Sequence, residues 1–244
     1  MPGRNLALAL GMLLACPAAA WALDSKIYSP AIVKDELELE YGGTRTFDSH
    51  KEKNDLQENQ FSIGYGVTDF WKVELDGILA RGPGMPQDFV ANEFENIFAF
   101  SPPGKYWLDA GMLATYQRAA KSGDADSVEL KLLLQKDIGR FTTVANLGGH
   151  QEVGAHASGS PALGMAVNAR YRWLAAAQPG IELQSDFGEW SKHAAFSEQS
   201  HYLGPSLYGK LLPQLSYEVA YLFGVSQAAA ISAVRLKLEY EFYF

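Results

Sequence analysis

The chain has 244 residues, one Cys and a formal net charge of -8. Hydrophobic residues make up 48% and charged residues 20%, which excludes a disordered chain by composition. The acidic balance argues against nucleic acid as a partner, because that requires a basic face.

The first residues read as an export signal. Arg4 supplies the positive start, Leu6 to Leu14 form an apolar stretch, and Ala20-Trp21-Ala22 is a small-x-small cleavage site. The expected division is a signal peptide over 1–22, a short periplasmic lead over 23–30 and a barrel over 31–244. Leu13-Leu14-Ala15-Cys16 loosely follows a lipoprotein box, but Pro17 comes directly after the Cys and the site at Ala22 is better. With cleavage there Cys16 leaves, and the mature chain has no thiol chemistry. The apolar stretch is too short for a helix crossing a bilayer core, which needs about 20 residues. No later window is long enough either, so a spanning chain must be a closed barrel.

From residue 34 onward the dominant period is two, the period of a strand. Leu37, Leu39 and Tyr41 alternate with Glu36, Glu38 and Glu40. Phe61, Ile63 and Tyr65 alternate with Ser62, Gly64 and Gly66. Trp71, Val73 and Leu75 alternate with Lys72, Glu74 and Asp76. Over 89–100 the pattern is less tidy. Glu93 and Glu95 point inward, leaving Asn92 and Asn96 among outward Phe residues, which predicts a bulge or an outward Asn near an interface. Leu108, Ala110, Met112 and Ala114 alternate with Asp109, Gly111 and Thr115. Val128, Leu130 and Leu132 alternate with Glu129, Lys131 and Leu133. A strand over 140–148 is irregular. Met165, Val167, Ala169 and Tyr171 then alternate with Ala166, Asn168, Arg170 and Arg172. Ile181, Leu183 and Phe187 alternate with Glu182, Gln184 and Asp186. The stretch 201–211 contains Pro205, unusual in a central strand. Tyr217, Val219 and Tyr221 alternate with Ser216, Glu218 and Ala220. Last, Leu236, Leu238, Tyr240, Phe242 and Phe244 alternate with Arg235, Lys237, Glu239 and Glu241.

These segments number about twelve, each near the 9–11 residues of a tilted spanning strand. Short turns are expected near 67–69, 102–104, 137–139, 175–179 and 212–214. Longer polar loops are expected near 48–58, 80–88, 119–127, 149–160, 188–200 and 224–229. Tyr65, Phe70, Trp71, Phe98, Phe100, Tyr106, Trp107, Phe141, Tyr171, Trp173, Tyr217, Phe242 and Phe244 all lie near a short turn or the C-terminus. Together they form one interfacial girdle. The fold class is therefore all-β: a closed antiparallel up-and-down transmembrane β-barrel of about 12 strands in a Gram-negative outer membrane.

The closing run Leu236-Lys237-Leu238-Glu239-Tyr240-Glu241-Phe242-Tyr243-Phe244 resembles the C-terminal signature strand of bacterial outer-membrane barrels. That resemblance implies that Leu236, Leu238, Tyr240, Phe242 and Phe244 form a signal read by the barrel assembly machinery. Gly64-Tyr65-Gly66-Val67-Thr68-Asp69 followed by Phe70-Trp71-Lys72-Val73-Glu74-Leu75 resembles a hairpin of proteobacterial barrels, some grouped with transporters of the phenol-degradation MetA type. That family supplies no catalytic motif to carry over.

In the inward set, acids outnumber bases by about two to one. Closing the barrel brings Glu36, Glu38 and Glu40 beside Arg235, Lys237, Glu239 and Glu241, where opposite charges would pin the register. An acidic lumen favours cations, which makes small cationic solutes candidate partners beside outer-membrane lipids. The alternative is a polar filling with no path through it. All five His (His50, His150, His156, His193, His201) fall at or near long loops without tight metal spacing, so no metal and no cofactor is expected. Ser200, His201 and His193 are the only hint of a lipid-modifying hydrolase, and successive strand residues point to opposite faces. The function expected is a small pore or passive transporter.

Overall fold

A computed structural model describes residues 23–243; the signal-peptide stretch 1–22 and the terminal Phe244 lie outside the described residues. Twelve strands run in chain order: β1 Glu36–Phe47, β2 Gln57–Thr68, β3 Trp71–Arg81, β4 Asp88–Ala99, β5 Asp109–Ala119, β6 Asp126–Ile138, β7 Phe141–Val153, β8 Ala162–Tyr171, β9 Gln178–Glu189, β10 Ser200–Leu212, β11 Leu215–Gly224 and β12 Ser232–Tyr243. Each is antiparallel to its sequence neighbours, and β1 pairs with β12, so the sheet closes with no free edge. Closure leaves no strand edge unpaired, which makes the fold fit for lipid.

The alternation in sequence becomes an inside and an outside. Phe61, Leu75, Leu130 and Ile181 face outward and are 54–60% exposed, while Glu74, Glu95 and Glu182 face inward and are 0–1% exposed. Such an apolar outer belt around a charged interior suits a bilayer and not water. Trp71 and Phe98 stack at 6.4 Å, and Phe141 and Tyr171 meet at 5.2 Å, both near the same end of the barrel.

Tight connections at 69–70, 139–140 and 213–214 define that turn end. The connection at 100–108 was expected to be a brief turn at 102–104, but it is as long as the loops opposite. Pro102 and Pro103 bring no N–H, Gly104 sits at φ 71°, and its N–H donates to Asp109 Oδ1 at 2.6 Å, so β5 begins only at Asp109.

The irregular strands have local causes. In β4 the register slips opposite Ile78 and Leu79, a bulge that absorbs Val90. Beyond it Asn96 faces outward and accepts a hydrogen bond from Trp71 Nε1 at 3.2 Å, which makes an amide tolerable on that surface. Pro205 pairs with Ile181 of β9, while toward β11 the partners skip from Leu203 to Ser206. The missing N–H costs one side of the ladder only.

Candidate functional site: the lumen and the segment inside it

Residues 23–30 do not trail away from the barrel as the expected periplasmic lead would. They run up through its interior, and the sequence gives a reason only in retrospect: the segment carries groups that match the wall. Ile32, with Tyr28 against it, packs on Ile97, Ala99, Leu113 and Leu133. Ile27 packs on Val144 and Ala166, and Leu23 rests on the cluster of Tyr202, Leu222 and Ala230. Inward apolar residues such as Leu113 and Leu133, odd in a water-filled channel, are the seats for these side chains.

The segment is extended and has no strand beside it, so its backbone groups need other partners. Two wall amides supply them. The Tyr28 N–H donates to Asn146 Oδ1 at 2.7 Å while Asn146 Nδ2 donates to the Tyr28 carbonyl at 2.8 Å. Higher up, the Asp24 N–H donates to Gln184 Oε1 at 2.6 Å and Gln184 Nε2 donates to the Asp24 carbonyl at 3.1 Å. Each amide imitates a ladder partner. Inward glycines make room: a Cβ at Gly66 would lie 1.9 Å from the Val33 carbonyl oxygen, and one at Gly111 would lie 2.9 Å from Pro30 Cβ as well as 2.5 Å from the Phe98 carbonyl oxygen of the wall. Asp35 N–H bonds the Gly66 carbonyl at 2.8 Å and anchors the segment where it turns into β1.

Lys26 stands at the centre. Its ammonium bonds Glu74 Oε1, Asp76 Oδ1 (2.9 Å) and Ser62 Oγ (2.9 Å), with carboxylate oxygens of Glu95 and Glu40 at 3.9 and 4.0 Å. Tyr28 Oη donates to Glu95 Oε1 at 2.7 Å, and its ring lies 5.5 Å from the same ammonium. Asp24 meets Lys131 at 3.0 Å, and Lys131 also meets Glu129 at 2.7 Å. Ser25 Oγ donates to Gln60, and the Ser25 carbonyl accepts from Arg235 Nη1 at 3.3 Å.

Arg235 itself is wholly buried. It holds Glu182 with two bonds, at 2.8 and 2.6 Å, and Glu218 with a third at 3.0 Å. Tyr208 Oη donates to Glu182 Oε2, and Arg170 lies over the Tyr208 ring. At the seam the direct partners are Glu38 with Glu241 and Glu40 with Glu239, which are like charges rather than the opposite pairs expected. Lysines of the wall offset them: Lys237 reaches Glu40 at 3.2 Å and Glu239 at 2.7 Å, and Lys72, from β3, bonds Glu38 and lies 3.4 Å from Glu40. Glu36 is buried opposite Tyr243 at the turn end of the seam. Glu93 accepts from Gln60 at 3.3 Å, and Asp186 accepts from the Gly188 N–H at 2.7 Å.

Two predicted lumen residues, Asp109 and Arg172, serve the turn end instead, and Glu241 is buried on the inward face at that same end. Asp109 fastens the long connection at Gly104. Arg172 lies outside its strand, bonding the Gly139 carbonyl at 2.5 Å and facing Asp137. Glu241 is paired with Lys210 at 3.0 Å. Residues that pattern reading missed are Asp24, Lys26, Tyr28, Asn146 and Lys210. The first three precede the strand-period region, and Asn146 sits in the irregular β7.

Among the described residues, two groups can hold a cation, Glu38–Glu40–Glu239 and Glu74–Asp76–Glu95, and lysine ammonium groups already reach both. Of the histidines, His50 bonds Asp48 at 2.9 Å, and His201 stacks on Phe196 at 4.5 Å while its Nε2 pairs with Gln199 at 3.0 Å.

The architecture is a closed antiparallel barrel of twelve strands, and solved structures match it at that level. The KdgM porin superposes with a TM-score of 0.56 at 10% identity, covering 85% of this chain and 99% of that one. The KdgM porin in complex with disordered oligogalacturonate gives 0.55 at 8% identity, covering 86% and 99%. At such identity the likeness shows the fold. No protein-family model matches the sequence. No curated protein matches it either.

Proposed function

We propose that this protein is exported to a Gram-negative outer membrane and acts there as a small, cation-preferring pore or passive transporter, whose lumen residues 23–32 fill at rest. The apolar belt, the aromatic girdle and the porin-type fold support the membrane. The outward run Leu236, Leu238, Tyr240 and Phe242 fits a strand handled by the barrel assembly machinery. The resemblance to MetA-type transporters points to small solutes.

One observation carries the reading: part of the wall's charge is met by a segment that is not part of the wall. Asp76 and Glu95 are each under 5% exposed and the cation facing them is Lys26, while Glu74 is shared between Lys26 and the wall's own Lys72 at 3.2 Å. A wall built only for stability would balance itself, as Arg235 does with Glu182 and Glu218. An acid-rich wall relieved of Lys26 presents net negative charge to whatever enters. The second reading is a permanently filled structural barrel, favoured by the two bidentate amide anchors at Asn146 and Gln184.

Single-channel recording in a planar bilayer under a salt gradient separates the two. The mature chain should be mostly silent, and a chain lacking 23–32 should give steady cation-selective steps. Silence or anion selectivity from the shortened chain, shown folded by its heat-modifiable gel mobility, refutes the pore reading.

A further inference from the structure

We propose that Ser62, Glu74 and Asp76, backed by Glu95, form a binding site for the primary ammonium head of a solute, and that Lys26 is its built-in occupant. This rests on the pore reading and names the solute class.

The geometry matches the donor count of an alkylammonium, which has three N–H groups and no acceptor. Each N–H of Lys26 has one acceptor: Glu74 Oε1, Asp76 Oδ1 and Ser62 Oγ. The three acceptors come from β2 and β3, on successive inward positions, so a rigid sheet holds the tripod. Glu95 on β4 closes the fourth side, with the Tyr28 ring near the same charge.

A second observation is independent of the tripod. Asp76 Oδ2 and Glu95 Oε2 are buried and receive no hydrogen bond from any described residue. Glu95 Oε2 faces the ammonium at 3.9 Å without bonding it. The wall thus offers more acceptor capacity than Lys26 uses. Two carboxylates close together favour a cation, and their fixed directions favour one that donates. A quaternary ammonium carries the same charge with no N–H and fills the tripod poorly. A free amine of similar chain length reproduces the end of the lysine side chain and competes with it.

The test removes the occupant and restores it from solution. Lys26→Ala protein, folded in detergent, is titrated with n-butylammonium and tetramethylammonium at equal ionic strength, by calorimetry and by thermal unfolding. Butylammonium should bind at least about tenfold more tightly than tetramethylammonium, which can make none of the three hydrogen bonds; one charge-assisted bond alone corresponds to about that ratio. It should stabilise the variant and leave wild type unmoved, and adding Glu74→Gln should abolish the difference. Equal binding of the two ions, an equal effect on wild type, or replacement of butylammonium by magnesium alone overturns the proposal. If Lys26→Ala does not fold, the same titration on the chain lacking 23–32 decides it. Binding is read without any current, so amine binding by a silent barrel would keep the site and reject the pore.

Discussion

Replacing Arg235 by Met tests the internal charge balance most directly. Arg235 is 0% exposed and donates three bonds to two carboxylates. Removing one partner of a buried pair costs about 3–5 kcal/mol, because the other charge stays buried. Glu182 keeps two donors, Tyr208 Oη at 3.0 Å and Gln184 Nε2 at 2.9 Å. Glu218 lies nearer the solvent at 17% side-chain exposure and can rehydrate. Both place the cost at the lower end, ~3 kcal/mol, or roughly a hundredfold in the unfolding equilibrium. With a urea dependence of about 1–3 kcal/mol per molar, the midpoint should fall by about 1–3 M. Urea unfolding of protein folded in lipid vesicles, followed by Trp fluorescence and gel mobility, reads this shift. The double variant Arg235→Met/Glu182→Met should recover most of the loss, since an apolar pair of similar volume can replace a buried ion pair. A single variant as stable as wild type, or a double variant worse than the single, would refute the reasoning.

Gly66→Ala should push the Val33 carbonyl off the wall and break the Asp35–Gly66 bond. The accessibility of a Cys placed at Ser25 to a water-soluble maleimide should rise about fivefold, the ratio for one net hydrogen bond; unchanged labelling would show that Gly66 does not set the approach. Trp71→Phe leaves the outward Asn96 amide without its donor and should destabilise by about 1 kcal/mol in the same urea assay, with Asn96→Leu restoring it. At the loop end, Asp48 accepts from the His50 and Ile231 N–H groups, at 2.7 and 2.9 Å, which lowers its carboxyl to about 2. Because the folded value lies below the unfolded one of about 3.9, this clasp contributes fully above about pH 4 and is lost as pH falls through about 2. Hydrogen exchange at the Ile231 amide should accelerate in that window in wild type, whereas Asp48→Ala should exchange fast at every pH.

The barrel was legible because a closed sheet with an apolar outside and a polar inside enforces a period of two. Most outward residues are apolar and most inward ones polar, so Leu37, Leu39 and Tyr41 against Glu36, Glu38 and Glu40 leave little choice of face. Strand ends were less legible where Pro102 and Pro103 delay the ladder and Val90 is squeezed out. The seam register was misjudged because facing pairs were expected to have opposite charge. In fact Lys72, reaching across β2 from β3, and Lys237, diagonal to Glu40, neutralise several carboxylates each, which long side chains reach and a pairwise rule misses. The lumen segment was illegible for a different reason. A single extended strand held by side-chain amides has no periodicity of its own. Its only signal was indirect: Leu113 and Leu133 turned inward among charges, and glycines at 66 and 111 offered nothing to a lumen except space.

The bond from Arg235 to the Ser25 carbonyl joins positions 210 apart in sequence. The earliest described part of the chain is thus completed by the last strand, and neither end is finished until the seam between β1 and β12 has formed. Contacts this distant in sequence slow folding, since a long stretch must be ordered before they form. Lys26, which must find β2 and β3 inside the wall, is in the same position. Occupation of the lumen therefore reports that the ring is whole: a barrel missing a strand has nowhere to seat its own beginning.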